Sequence, residues 1–357
     1  MHFMKHIAAL DGLRAIAILD VVASHMLSPL VPGSFGVTLF FFISGFIITR
    51  LLLSDETNRL LPFYIRRFFR LGPALLVYVA ACILALLAVG AEVVWKDVAA
   101  ALLYYANYND PHMVSMSTMW SLAVEEHFYL LFPPVFMALR RQPERLQWAL
   151  VGVLIACFVW RCNMVSLGYT SEQILRHTES RIDSIAFGCL LSVLIHRGKI
   201  DFVRAMGTRR MLALAGLLIV ATLAIRSEVF RQTARYSLQG VAFFVLFCAL
   251  FFSDSAPRLR RLFEMRAMVY IGRISYSLYL YHEFGLILGN NLGRGSLSKT
   301  LIAFAVTIPA TLLSFYVIET PSRRLGARIA QRIAISARDG VTHGDEPSAI
   351  SARTCDG

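Results

Sequence analysis

A succession of long apolar runs, each broken by no more than a few charges, governs what this chain can fold into. A helix needs roughly 20 mainly apolar residues to cross a bilayer. Runs of that kind recur at about 7–27, 35–53, 73–91, 118–139, 146–164, 182–196, 211–226, 236–253, 267–289 and 300–319. The stretch at 98–107 is too short to span and reads as an interfacial or re-entrant helix. Composition agrees, with 57% hydrophobic and 16% charged residues where soluble domains carry about 25% charged ones. Lipid is therefore the natural solvent, and a soluble enzyme, a disordered chain and a disulfide-stapled scaffold are excluded. The predicted fold class is all-α, a polytopic transmembrane helical bundle of about ten transmembrane helices. Residues 1–330 form the membrane domain and 331–357 a polar, disordered C-terminal tail. Asp11, Arg14 and Asp20 interrupt the first run and no small-residue cleavage site follows, so it reads as a retained helix.

The net charge of +12 suggests nucleic acid only if it forms one stripe on a water-facing domain. Here the basic residues follow the loops instead. With both termini in the cytoplasm, 24 of the 35 lysines and arginines fall on the inner side and nine on the outer, as the positive-inside rule requires for ten crossings. The six cysteines show no zinc spacing, and no metal is expected.

Charges inside spans cost about 2.5 to 3.5 kcal/mol each at a helix centre, so each asks for a reason. Arg14 and His25 are eleven positions apart, which places them on one helical stripe about 16 Å apart along the axis. Asp11 shares that stripe. A neutral imidazole is the usual proton acceptor near neutral pH, whereas the plainer reading pairs Arg14 with Asp11 and gives His25 a capping role. In TMWSLAVEEHFYLLFPP, Glu125, Glu126 and His127 interrupt a span; Glu125 and Tyr129 share a face one turn apart. The plainer reading is an interfacial cluster anchored by Trp120. FYIRRFFRLGP carries Arg66, Arg67 and Arg70 among aromatics, a pattern that suits either phosphate or anionic lipid headgroups. Arg181 and Asp183 in RIDSIAFGCLL are read as an ion pair, Glu319 as a cap or an arginine partner, and Gly36 and Gly45 as points of close helix approach. In IGRISYSLYLYHEF, Arg273, Tyr276, Tyr279, Tyr281, His282 and Glu283 line a helix rich in hydroxyls.

Taken in order, ALDGLRAIAILDVVASH, FGVTLFFFISGFIITRLL, YIRRFFRL, TMWSLAVEEHFYLLFP, RIDSIAFGCLL, GRISYSLYLYHEF and IETPSRRL make the chain resemble the acyltransferase 3 family of integral-membrane acyltransferases, from about residue 7 to 325. The resemblance implies a catalytic set of His25, Glu125 and Arg14, with Arg67 and Arg70 handling the acyl-CoA donor. Tyr129, Arg181, Tyr279, His282 and Glu319 match family motif positions. Thr38, His127 and Tyr281 depart from the family pattern, which often has an acid, a glutamine and a tryptophan at these places.

The implied function is a membrane-bound O-acyltransferase of the bacterial inner membrane. It moves an acyl group, acetyl first among candidates, from acyl-CoA to a hydroxyl of a carbohydrate or glycoconjugate in the cell envelope, or of a macrolide-like product. Partners are acyl-CoA, the carbohydrate acceptor and membrane lipids, with no nucleic acid. The sequence shows no second soluble domain, so transfer is expected to finish within the membrane domain or pass to another protein. The alternative is a transporter or flippase of a lipid-linked sugar or small acid, in which the same polar stripe lines a path and no bond is made.

Overall fold

The computed structural model describes residues 7–28, 32–54 and 59–342. Among these the chain is helical, with no strand. Ten long helices follow one another: α1 Ala8–Met26, α2 Ser34–Ser54, α3 Leu60–Ala88, α4 Met119–Leu139, α5 Pro143–Ser166, α6 Thr178–His196, α7 Arg209–Ala224, α8 Ala234–Phe251, α9 Arg266–Leu292 and α10 Ser296–Leu313. Each coincides with one of the apolar runs. A π-helical stretch, Ser314–Glu319, joins α10 to α11, Thr320–Thr342. The last helix thus runs into the segment that composition reads as a tail, and residues 343–357 lie outside the described residues.

Among the described residues six segments can cross a bilayer alone by length and apolarity, and seven if Ile200–Met206 and α7, bent by 60°, form one span. The protein is therefore an all-helical, multi-pass membrane protein. Helices α1, α6 and α9 do not reach that apolarity because they carry Asp11, Arg14 and Asp20, Arg181 and Asp183, and Arg273, His282 and Glu283. Most of these charged side chains are covered by neighbouring helices. Helix α1 packs between α2 and α9, while α6 packs against α2, α5 and α8. Protein thus replaces lipid around the polar stripes, which is how intramembrane charge is tolerated.

Close packing relies on glycine where backbones meet. A Cβ on Gly36 would lie 2.2 Å from the Ala17 carbonyl of α1, and one on Gly45 would lie 2.0 Å from the Ile185 carbonyl of α6. Both confirm the reading of these glycines as approach points. Gly272 does the same for α9, where a Cβ would stand 1.8 Å from the Asp11 carbonyl. The Gly36 N–H also donates to Asp20 at 2.8 Å, which gives this intramembrane carboxyl a partner.

Three sequence readings change. Arg181 and Asp183 do not pair with each other, because residues two apart on a helix point in nearly opposite directions. Asp183 instead takes the buried Arg161 of α5 at 2.8 Å, which also donates to the carbonyls of Ser180 at 2.7 Å and Thr233 at 2.9 Å. Arg181 donates to Thr38 at 2.8 Å and lies 3.7 Å over the Tyr236 ring. Trp120 is buried edge-on against Phe41 and so does not serve as an interfacial anchor. The stretch FYIRRFFRLGP is likewise no separate surface segment. It forms the first turns of α3, which continues through Pro73.

Between α3 and α4 the chain forms a short helix, Trp95–Leu102, in the region expected to be interfacial. Its Asp97 is buried and accepts hydrogen bonds from the backbone of His112 at 2.6 Å, that of Met113 at 2.7 Å, and the Asn109 side chain at 2.8 Å. Burial would raise this carboxyl, but the three donors outweigh it and hold the group below the ordinary carboxylate range.

Candidate active site

The polar stripe of α1 runs between two very different ends. Around Arg14 opens a cavity of about 510 Å³ into which Arg14, Arg50, Arg70, Arg273 and Arg323 project. These come from the first half of α1, the last turn of α2, the start of α3, the start of α9 and the start of α11, so one end of the bundle supplies all five. Two carboxylates answer them within the lining. Asp11 lies 3.6 Å from Arg273, and Glu319, at the end of the π-helical stretch, lies 3.5 Å from Arg323. The sequence reading of Glu319 as an arginine partner is met. Among the described lining residues five guanidinium groups stand with two carboxylates, and Arg14 Nε is buried with no hydrogen-bond partner. Such a site suits a ligand bearing several phosphates.

A second cavity of about 60 Å³ shares Arg14, Arg70, Ser275 and Tyr276 with the first, and adds Arg67, Glu125, Ser121 and Tyr279. Here the structure separates the two arginines that the sequence treats alike. Arg70 reaches the large cavity, whereas Arg67 lines only the small one. Arg67 Nη2 lies 3.2 Å from Glu125, its Nε 3.2 Å from Glu126, and its guanidinium 3.3 Å above the Tyr129 ring. Away from water a guanidinium takes the nearest carboxylates, so Arg67 is tied within the bundle. Glu125 also accepts from Ser44 at 3.0 Å and Tyr129 at 2.9 Å. The expected Glu125–Tyr129 contact is present. Glu126, for which the plainer reading was an interfacial cluster, is paired with the same arginine.

Beyond the small cavity, hydroxyls lead to the other end. Ser121, one turn before Glu125, lies 2.6 Å from the Tyr279 hydroxyl, which donates to the Thr118 carbonyl at 2.7 Å. The Tyr279 carbonyl lies 2.5 Å from His282 Nδ1. A carbonyl only accepts, so His282 carries its proton on Nδ1 and presents a lone pair on Nε2. That Nε2 is 3.1 Å from His25 Nδ1, and Glu283 Oε1 is 3.0 Å from the same atom. The carboxylate beside His25 is therefore Glu283, not Glu125. His282 and Glu283 are buried, while His25 is 35% exposed. With Glu283 accepting from Nδ1–H, the His25 lone pair sits on Nε2.

The signal for this group was present in LYLYHEF, where two adjacent ionisable residues interrupt an apolar helix. What the sequence lacked was the crossing of α9 over α1. His127 stands apart from the site, 2.7 Å from Thr178.

Comparison with known proteins bears on this layout. The acyltransferase domain family, acyltransferase 3, matches residues 7–319, an interval that holds every residue of both ends except Arg323. The chain belongs to this family. It is 26% identical over 351 residues to the peptidoglycan O-acetyltransferase OatA of Listeria monocytogenes, covering 90% of this chain and 56% of that protein. It is 27% identical over 356 residues to the O-acetyltransferase OatA of Staphylococcus aureus, covering 91% of this chain and 58% of that one. The chain thus spans a little over half the length of these relatives. No solved structure matches it. Within this acyltransferase 3 chain, the matched interval places the arginine-lined cavity and the histidine pair in one domain.

Proposed function

We propose that the protein is an O-acyltransferase that carries an acyl group, acetyl first, from acyl-CoA to a carbohydrate hydroxyl of the cell envelope. It sits in the bacterial inner membrane with ten crossings and both termini in the cytoplasm. The orientation follows from the arginine distribution, and the ten long helices that coincide with the ten apolar runs support the count. The observation that carries the reading is that an arginine-rich cavity shares lining residues with a second cavity reaching Ser121 and Tyr279, and that Tyr279 is hydrogen-bonded to the His282 that stands beside His25.

In this reading Arg14 and Arg70, with Arg50, Arg273 and Arg323, hold the CoA phosphates at the cytoplasmic end. The narrow passage past Ser121 and Tyr279 admits the thin pantetheine arm and brings the thioester towards His25. Glu283 keeps the His25 proton on Nδ1, so Nε2 takes the proton of the acceptor hydroxyl as its oxygen attacks the thioester carbonyl. The new C–O bond forms, the C–S bond breaks, and the CoA thiolate leaves with the proton that Nε2 gathered. Arg67 acts as a positioning residue, fixing Glu125 and Glu126 beside the passage.

The acceptor class rests on the relatives, one of which is named for acetylating peptidoglycan. Family membership favours bond-making over transport. The test is CoA release from acetyl-CoA by the purified protein, with soluble peptidoglycan fragments and other envelope glycans as acceptors. Acceptor-dependent release that is lost in His25→Ala supports the proposal; label crossing the membrane without CoA release overturns it.

A further inference from the structure

His25 Nδ1, His282 Nε2 and Glu283 Oε1 form a triangle with edges of 3.0, 3.1 and 3.8 Å, close enough together to serve as the ligands of one ion. A tetrahedral zinc site with bonds of about 2.0 to 2.2 Å has ligand-to-ligand edges of about 3.3 to 3.5 Å. One ion therefore fits after shifts of a few tenths of an ångström.

Three further observations favour a metal over a chance contact. The Nδ1–H of His282 is fixed on the Tyr279 carbonyl at 2.5 Å, the outer arrangement that metal-ligating histidines use to aim the opposite nitrogen. Glu283 Oε1 also accepts from the Ser117 hydroxyl at 3.4 Å, which steadies the carboxylate. Two of the three side chains are buried and the third is 35% exposed, leaving one coordination position towards the outside. Two imidazoles and one carboxylate select a zinc-class ion over magnesium or calcium, which prefer all-oxygen sets.

We propose that His25, His282 and Glu283 bind one Zn²⁺ ion and that binding switches acyl transfer off. The second half rests on the reading of His25 as base. A metal on Nδ1 takes the lone pair at that atom, so the single proton of the neutral ring moves to Nε2. The nitrogen that would accept the hydroxyl proton is then an N–H donor, and transfer stops until the ion leaves.

The experiment is calorimetric titration of ZnCl₂ into the purified full chain in detergent after chelator treatment. The same samples are followed for CoA release from acetyl-CoA with soluble peptidoglycan fragments. The wild type should bind about one ion per chain at micromolar concentration. Glu283→Gln and His282→Gln, each eluting as the wild type on size exclusion, should weaken binding by at least about tenfold. Micromolar Zn²⁺ should suppress CoA release, and EDTA should restore it. No binding to the folded wild type, binding unchanged in both variants, or stimulation of release overturns the proposal. His25→Ala separates the two readings. Loss of zinc binding in that variant supports the metal site whatever its activity, whereas full transfer activity in chelator-treated His25→Ala sinks the base role and with it the inhibition.

Discussion

The two ends of helix α1 solve opposite problems. The Arg14 end is wide, about 510 Å³, and lined by arginines that outnumber its carboxylates. The His25 end is tight, with His25 Nδ1 in hydrogen-bond range of both the His282 imidazole and the Glu283 carboxylate. A wide cavity lined by several guanidinium groups is built to receive a large anion, which would offer the buried Arg14 Nε the partner it lacks. A closed group of three is built to set the position of a proton. Distance separates the tasks: about 16 Å of helix lies between Arg14 and His25, so recognition and chemistry can be altered independently.

That independence can be broken by substitution. The largest expected effect is His25→Ala, which should lower acyl transfer by about 10² to 10⁴, the range for loss of a general base, while the protein still reaches the membrane. Wild-type CoA release in that variant would end the base reading. Next comes Arg67→Leu, which strands two carboxylates inside the bundle and should cost about 3 to 5 kcal/mol of stability. It should show as a lower midpoint of thermal inactivation in detergent, and an unchanged midpoint would mean that Arg67 is not an internal tie.

Glu283→Gln removes the carboxylate charge that holds the His25 Nδ1–H and should reduce kcat by about ten- to a hundredfold, with little change in the KM for acyl-CoA. Arg14→Gln should do the reverse, raising that KM by about tenfold, the value of one charge-assisted contact, with kcat nearly kept. Steady-state kinetics on both variants would collapse the distinction between the ends if the two parameters moved together. The smallest effect concerns Asp97, outside the spans. Its carboxyl is held below its ordinary value. The stability it gives the loop is therefore fully present above the unfolded pKa near about 3.9 and is lost as pH falls through the lower folded value. Pepsin cleavage within residues 103–118 should accelerate between about pH 4 and pH 2; Asp97→Asn should flatten that profile, and a flat wild-type profile would contradict the assignment.

Sequence reasoning located the large-scale features because they rest on local physics. An apolar run of spanning length must be a helix in lipid, and all ten runs are helices. The pitch of a helix put Arg14 and His25 on one stripe, and it put Tyr129 beside Glu125, as observed at 2.9 Å. Partnership across helices was different. Arg67 and Arg70 look equivalent in RRFFR, yet one is bound to Glu125 and Glu126 and the other faces a cavity. The pitch that explains Tyr129 also forbids the Arg181–Asp183 pair that adjacency suggested.

By itself, then, the sequence determined the solvent, the helices, the family and the stripe on α1, since periodicity and hydropathy are properties of one segment at a time. Only the tertiary structure decided which carboxylate stands beside His25. Glu283 lies 258 positions away along the chain, and it meets His25 because Gly272 lets α9 settle against the backbone of α1. A contact of that kind depends on how closely two backbones can approach, and no single-segment pattern records it.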